Sequence, residues 1–288
     1  MAFKYTGFAD EADSNFDAQI DVLKEVGWSA IELRGIDGTS VCDLDQTTWD
    51  STLAKLNDNG IQVVAFGGQI ANWARPITGE FQKDIDELER CAPRMKAAGA
   101  DMIRIMSYPN DQDAPLANDA WRDEAVRRLS ELAMRAEDLG VILGHENCSG
   151  YGGIGPEQYL ELKDAIDSPA FKLIFDTGNN SLHDNDREAT WRYYEQCRDE
   201  IMHVHIKSGL PGDDGVYRTC FPDEDPVQAR ILSDLVVRGY DGWLSIEPHI
   251  AAAVHLGREP EGDDARRIWI DYAHRIEQIA EAAANTTA

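Results

Sequence analysis

The sequence predicts a single (β/α)8 barrel spanning residues 1–288. Three observations carry that expectation. Eight short apolar runs alternate with longer segments of helical period. The runs are nearly continuous in apolar character, as strands of a helix-covered parallel sheet are. Each run also begins apolar and ends polar, and in such a barrel the catalytic groups come from the C-terminal strand ends. Eight strand-helix units in about 250 residues suit a closed barrel, with an open doubly wound sheet as the alternative topology. No linker, low-complexity segment or block of charge divides the chain.

In chain order the runs are YTGFADE (5–11), AIELRG (30–35), VVAFGGQ (63–69), MIRIMSY (102–108), VILGHENC (141–148), FKLIFDTGN (171–179), IMHVHIKS (201–208) and WLSIEPH (243–249). Their exits carry Glu11, Arg34, Gln69, Tyr108, Glu146, Asp176, His205 and Glu247. Between them Phe16, Ile20 and Leu23 recur at helical spacing, as do Phe81, Ile85, Leu88 and Met95, and then Ile268, Tyr272, Ile276 and Ile279. Ser14 and Asp17 have the spacing of a capping box, and Gly27, Gly60 and Gly140 stand where helices should end.

Composition narrows the function. Fifty-three acidic against 27 basic side chains give a formal charge of −26, a field that repels nucleic acid and anionic membranes. So many acids suit a high-salt cytoplasm; unfolding measured from low to multimolar KCl tests this, and stability that stays flat or falls with salt removes it. No apolar run approaches the ~20 residues that span a bilayer. The N-terminal stretch lacks a secretory pattern, so a cytoplasmic protein is expected. Five scattered cysteines, an odd number without a close-spaced pair, argue against a disulfide framework or a structural zinc site. Only Cys148 has neighbours that invite a functional reading, and lining a pocket is its expected role.

The chemistry concentrates on runs five to eight, where Glu146, Asp176, His205 and Glu247 follow one another at intervals of 30, 29 and 42 residues. Three carboxylates converging in one pocket repel each other unless a cation is present. An oxygen-rich site with one imidazole and no thiolate favours Mn²⁺, Co²⁺ or Mg²⁺, with Mn²⁺ preferred.

The segments ILGHENCSGYGG, LIFDTGNN, HVHIKSG and GYDGWLSIEPH resemble the xylose-isomerase-like barrel superfamily. Within it the resemblance is to the sugar phosphate isomerase/epimerase group, with its ketose 3-epimerases and inosose dehydratases, and it extends over essentially the whole chain. It implies one divalent metal held by Glu146, Asp176, His205 and Glu247, with Glu146 and Glu247 also removing and returning a proton beside a sugar carbonyl. The ion would act as a Lewis acid that stabilises the enediolate. Such barrels are often homo-oligomers, although no exposed motif here specifies an interface. The chain departs from the family pattern at Asn179, where many relatives have the histidine of Asp-x-x-His, and at Cys148, where many have the histidine of Glu-Asn-His. Lys207-Ser208 replaces a frequent Lys-Asp pair, and Asp223-Glu224-Asp225 a frequent Gly-Glu-Gly.

Further candidates surround this set. Glu11, Arg34, Gln69, Asn72 and Arg104 can hydrogen-bond sugar hydroxyls; Phe66, Trp73, Tyr108 and Tyr151 can wall a ring. Asn179, Lys207 and Arg218 can hold hydroxyls or negative charge. His145 neighbours Glu146 but points away from it along a regular strand, so it reaches the pocket only if the exit is irregular. His203 is expected deeper in the barrel. Gly209 and Gly212 offer a glycine-rich loop, yet Asp213 and Asp214 oppose phosphate, so an unphosphorylated sugar or keto-sugar is expected as substrate. The expected activity is isomerase or epimerase, with a lyase acting by β-elimination or dehydration on the same site as the alternative. An abasic-site nuclease and a metal-free binding barrel are the remaining readings.

Overall fold

The computed structural model describes residues 3–250 and 262–286. The expected domain span of 1–288 therefore includes residues 1–2, 251–261 and 287–288, which lie outside the described residues. The eight barrel strands are β1 (Lys4–Gly7), β2 (Ala30–Leu33), β3 (Gln62–Phe66), β4 (Met102–Ser107), β5 (Ile142–Gly150), β6 (Phe171–Asp176), β7 (Ile201–Ile206) and β8 (Trp243–Ile246). They form one parallel sheet in the order β1-β8-β7-β6-β5-β4-β3-β2, and β1 lies beside β2, so the sheet curls into a nearly closed barrel. The open-sheet alternative is thereby excluded. Nine helices are present among the described residues: α1 (Phe16–Glu25), α2 (Gln46–Asn59), α3 (Gln82–Ala98), α4 (Asn118–Leu139), α5 (Pro156–Ile166), α6 (Asn179–Asp184), α7 (Arg187–Cys197), α8 (Pro226–Val237) and α9 (Gly262–Thr286).

Local sequence sets these boundaries. Gly60 and Gly140 adopt the left-handed conformation that ends α2 and α4. The cap of α1 is Asn15, not Ser14: the Asn15 side chain accepts the Ala18 N–H at 3.1 Å. Asp225 caps α8, and Pro226 opens it, where a missing N–H costs nothing. The predicted runs overshoot the paired strands at their exits. Residues 9–11, for instance, leave β1 for a turn of 3-10 helix. Glu11, Arg34, Gln69, Tyr108 and Glu247 therefore sit just past their strands, whereas Glu146, Asp176 and His205 lie within β5, β6 and β7.

Strand alternation divides the molecule into two cores. Outward-facing Leu143, Leu173, Phe175, Val204, Ile206, Leu244 and Ile246 are fully buried under the helices, each contributing roughly 1.5–3 kcal/mol of transfer free energy. Inside the barrel Ala65, Met102 and Ile174 form a small apolar plug. Above that plug the interior turns polar.

Two features were not expected. Short antiparallel hairpins follow β2 (Gly35–Ile36 with Thr39–Ser40) and β7 (Gly209–Pro211 with Tyr217–Thr219). Cys42 and Cys91, 49 residues apart, form a disulfide with a Cα–Cα distance of 5.5 Å. The scattered, odd cysteines had argued against a disulfide framework, and this single bridge arises because folding brings the segment before α2 against α3, a proximity that spacing does not reveal. Cys148, Cys197 and Cys220 remain free. No helix among the described residues is long and apolar enough to cross a membrane.

Candidate active site

Register brings the carboxylate and imidazole groups together. Asp176 of β6 pairs with His205 of β7, and His205 pairs with Ser245 of β8, two residues before Glu247. Residues two apart share a face, so His203 and His205 both point inward, as do Glu32 on β2 and Ser245. At the mouth of the barrel, Glu146, Asp176, His205 and Glu247 each offer a ligand atom, all within 4.8 Å of one another and all buried.

Whether these groups suit a metal ion can be judged from their hydrogen bonds. Glu146 Oε2, Asp176 Oδ2 and His205 Nδ1 are buried, and none makes a hydrogen bond. Their other atoms are engaged. Asp176 Oδ1 accepts the N–H groups of Gly178 and Asn179 at 2.8 and 2.7 Å. Glu146 Oε1 accepts from Asn179 Nδ2 at 3.1 Å. His205 Nε2 lies 3.1 Å from Glu32 Oε1, which turns Nδ1 toward the carboxylates. Buried polar atoms without hydrogen bonds are costly, and these three, met only by ion-pair contacts, converge from three strands and fit a divalent cation with oxygen and nitrogen ligands.

Beneath the cluster, Glu32 acts as an anchor. Its carboxylate takes His203 Nε2 at 3.0 Å and the Ser245 hydroxyl at 2.7 Å, besides His205. A carboxylate behind a ligating histidine fixes its tautomer and raises its basicity. Burial opposes charge on both partners, yet Glu32 is held well below the usual carboxylate range by the two imidazoles. His205 is raised to about 10, the cost of burial being outweighed by Glu32 and Glu146.

Three cations balance the acids. The Lys207 ammonium, 3% exposed, lies 2.7 Å from Glu247 Oε2, 3.2 Å from Asp176 Oδ2 and 3.1 Å from Asn179 Oδ1. Arg104 Nη1 lies 3.5 Å from Glu146 Oε2 and 3.6 Å from Glu247 Oε1. Arg34 reaches Glu247 Oε1 at 2.7 Å. Glu146 is thereby lowered to about 2: burial pushes it up, and Arg104 and His205 more than offset that. Glu247 is likewise held low against burial by Lys207, His249 and Arg34.

Two cavities open above this cluster. One, of about 180 Å³, is lined by Glu146, Cys148, Asn179, Lys207, Glu247 and His249 among others. The other, of about 260 Å³, is lined by Arg34, Gln69, Asn72 and the hairpin after β2. Trp73 and Arg104 border both. Thus Arg34, Gln69, Trp73, Arg104, Asn179 and Lys207 all reach the cleft, as does Cys148.

Four expected substrate contacts need correction. His145 sits on the outer face of β5, its ring centroid 5.4 Å from Tyr159 and 5.6 Å from Phe171. Burial lowers it to about 4 against the pull of Glu146, so it packs as a neutral ring. Strand alternation, carried through the exit, is the reason. Tyr108 is fully buried, and its hydroxyl donates to Asp84 Oδ2 at 2.9 Å. Arg218 is exposed on the hairpin after β7 and pairs with Asp214 at 2.7 Å. Glu11 stands behind the wall, accepting the His249 N–H at 2.8 Å and Arg34 Nη2 at 3.0 Å. Of the aromatic candidates, Phe66 packs on Trp49, and Tyr151 is buried with its hydroxyl on Glu161.

Sequence reading missed Glu32, Asp10 and His249. Glu32 was within reach, since a carboxylate inside an apolar run, two residues before Arg34, must share its face. His249 Nε2 lies 3.1 Å from Glu11 Oε1 and 3.3 Å from Glu247 Oε1. Its φ of 51° is a tertiary feature that periodicity could not supply.

This barrel, with its acid- and histidine-lined mouth, defines the class, and sequence comparison agrees. The family profile described as xylose isomerase-like TIM barrel matches residues 20–269, and the chain belongs to that family. An uncharacterized protein of Methanocaldococcus jannaschii is 31% identical over 128 residues; the match covers 43% of this chain and 43% of that relative's length. Among solved structures, a xylose isomerase-like TIM barrel protein of Mycobacterium smegmatis in complex with magnesium superimposes with TM-score 0.72 at 15% identity, covering 99% of this chain and 98% of that one. The probable 3-DHS dehydratase of Bacillus anthracis gives 0.70 at 18% identity, covering 95% and 98%. The apo 3-keto-D-glucoside 4-epimerase of E. coli gives 0.67 at 15% identity, covering 96% and 99%.

Proposed function

We propose that the protein is a divalent-metal-dependent isomerase or epimerase of a free sugar or keto-sugar, with Mn²⁺ as the preferred ion and Co²⁺ or Mg²⁺ as substitutes. The observation that carries this reading is the convergence of buried atoms of Glu146, Asp176 and His205 that make no hydrogen bond, with Glu247 completing the set. When bound, the ion supplies Lewis acidity toward a sugar carbonyl and its neighbouring hydroxyl.

The chain's own groups do the rest. Glu146 stands on β5 and Glu247 just past β8, with β6 and β7 between those strands, so they address a bound sugar from different sides. One carboxylate, ionised, takes the proton next to the carbonyl, and the other, entering the turnover protonated, returns its proton to the opposite face, so that the pair exchanges roles. Arg104, close to both, favours the ionised form of whichever carboxylate acts as base. Lys207 and Asn179 donate toward the substrate oxygens.

Incubation of the Mn²⁺-loaded protein with ketohexoses and keto-glycosides in D₂O tests the reading. NMR should show deuterium entering one carbon with the skeleton intact, and Glu146→Gln and Glu247→Gln should each lose at least 100-fold. Absence of exchange with every sugar would overturn it. A lyase on the same site is the second reading, favoured by the Lys207 ammonium 2.7 Å from Glu247, an acid placed to protonate a departing hydroxyl. Release of water or an aglycone in the same experiment would select it.

A further inference from the structure

The cleft extends beyond the acid cluster. Besides the cavity over the acid cluster, the 260 Å³ cavity lies under the hairpin after β2 and shares Trp73 and Arg104 with it. Each compartment alone falls below the roughly 300 Å³ at which small-molecule sites begin, and together they exceed it.

The outer compartment has a distinctive chemistry. Ser14, Thr39 and Ser40 bring hydroxyls, Gln69 and Asn72 bring amides, and Asp10 brings a carboxylate. Beside them Trp73 leaves 42% of its surface exposed. Mixed donors and acceptors around one indole suit a ring that is polar at its edge and apolar on its face. An apolar substituent would leave those groups dehydrated and unpaired. An anionic one would meet Asp10, beside which the Arg34 guanidinium is already committed, bonding Asp10 twice at 2.9 Å, Glu11 at 3.0 Å and Glu247 at 2.7 Å; the other lining cation, Arg104, sits at the border with the inner cavity, turned toward Glu146 and Glu247.

The wall is built to hold this arrangement. A Cβ at Gly35 would come within 2.8 Å of Asp10 Oδ2, and one at Gly67 within 2.9 Å of Arg34 Cβ. Only glycine at these places lets the Asp10 and Arg34 side chains seat as they do.

We infer that the substrate is a two-ring carbohydrate, an uncharged glycoside whose reacting keto-sugar lies over the acid cluster while its second sugar unit fills the outer compartment against Trp73. This assignment rests on the proposed reaction for the identity of the reacting ring, but its test is a ratio of dissociation constants that needs no turnover.

The Mn²⁺-loaded protein is titrated by calorimetry with D-fructose, with the glycosyl-fructoses isomaltulose, turanose and lactulose, and with D-fructose 6-phosphate. At least one glycosyl-fructose should bind tenfold or more tighter than fructose. Thr39→Trp, which fills the outer compartment from the exposed hairpin, should reduce that preference below about twofold. Gln69→Ala, a milder change, should reduce it by several-fold. The inference is overturned if no disaccharide outbinds fructose, if the preference survives both substitutions, or if fructose 6-phosphate binds tightest. Deuterium exchange measured alongside separates the two claims: exchange without a disaccharide preference overturns the two-ring assignment alone, and a preference without exchange overturns the reaction alone. No binding of any sugar overturns both.

Discussion

His205 and Glu32 face each other across the barrel interior, Nε2 lying 3.1 Å from Oε1, with neither residue exposed. The pair joins β7 to β2, strands that are not neighbours in the sheet. It therefore fixes the imidazole from behind while Nδ1 points to the acid cluster.

Removing that support should weaken the proposed metal site without removing any of its proposed ligands. Glu32→Gln keeps the shape but loses the charge that orients both histidines. Metal affinity, read by calorimetric titration with Mn²⁺, should fall about 10–100-fold. Unchanged affinity would show that Glu32 serves only the barrel core.

Metal binding should stabilise the fold. Native protein alone presents the assembled ligands, so an ion at a hundred times its dissociation constant adds about 2.7 kcal/mol. Differential scanning fluorimetry should then show a rise of roughly 5–10 °C over chelator-treated protein. The double variant Asp176→Asn, Glu247→Gln should abolish that rise. A shift that persists in the variant would place the ion elsewhere.

Tyr108 should report on stability and not on sugar binding. Tyr108→Phe leaves Asp84 Oδ2 without its buried partner, at a cost of about 1–3 kcal/mol. Urea unfolding should register that loss, while the dissociation constant for a bound sugar stays within twofold. A selective loss of sugar affinity would return Tyr108 to the cleft.

Gly150, at the end of β5 with φ +91°, has no room for a side chain: a Cβ would lie 2.2 Å from the Ser107 carbonyl carbon. Strain and overpacking together predict that Gly150→Ala costs about 2–5 kcal/mol in urea unfolding. A cost under about 1 kcal/mol would mean that β4 and β5 yield easily at this point.

Acid should weaken one surface tie in a defined window. Glu124 pairs with Arg127 and Arg128 at 2.7 Å. The Arg127 hydrogen bond, opposed by slight burial and aided by Arg128, lowers Glu124 from 4.5 to about 2. A carboxylate depressed on folding stabilises above its unfolded value and loses that contribution as pH falls toward the folded one. The stability gap between wild type and Glu124→Gln, below ~1 kcal/mol because solvent screens the pair, should be present at pH 6 and close between about pH 4.5 and 2. A gap that stays constant to pH 2 in urea unfolding would contradict the pairing.

Read from its residues, the chain already determines the barrel and the four groups at its mouth. Eight apolar runs and the helical stripes between them encode burial directly, and the polar residue at each exit marks the end where chemistry gathers. His145, named as a substrate contact on the chance of an irregular exit, follows the alternation rule and packs outside the barrel. What only the tertiary structure decided was the company each group keeps. Glu32 reaches His203 and His205 from 171 and 173 residues away, Cys42 meets Cys91 through packing of the segments that carry them, and His249 turns back over Glu247 through a left-handed residue. The physical reason is that periodicity reports which face of an element is buried, a local property. Contacts between faces depend on barrel closure and on loop conformations that no short window of sequence contains.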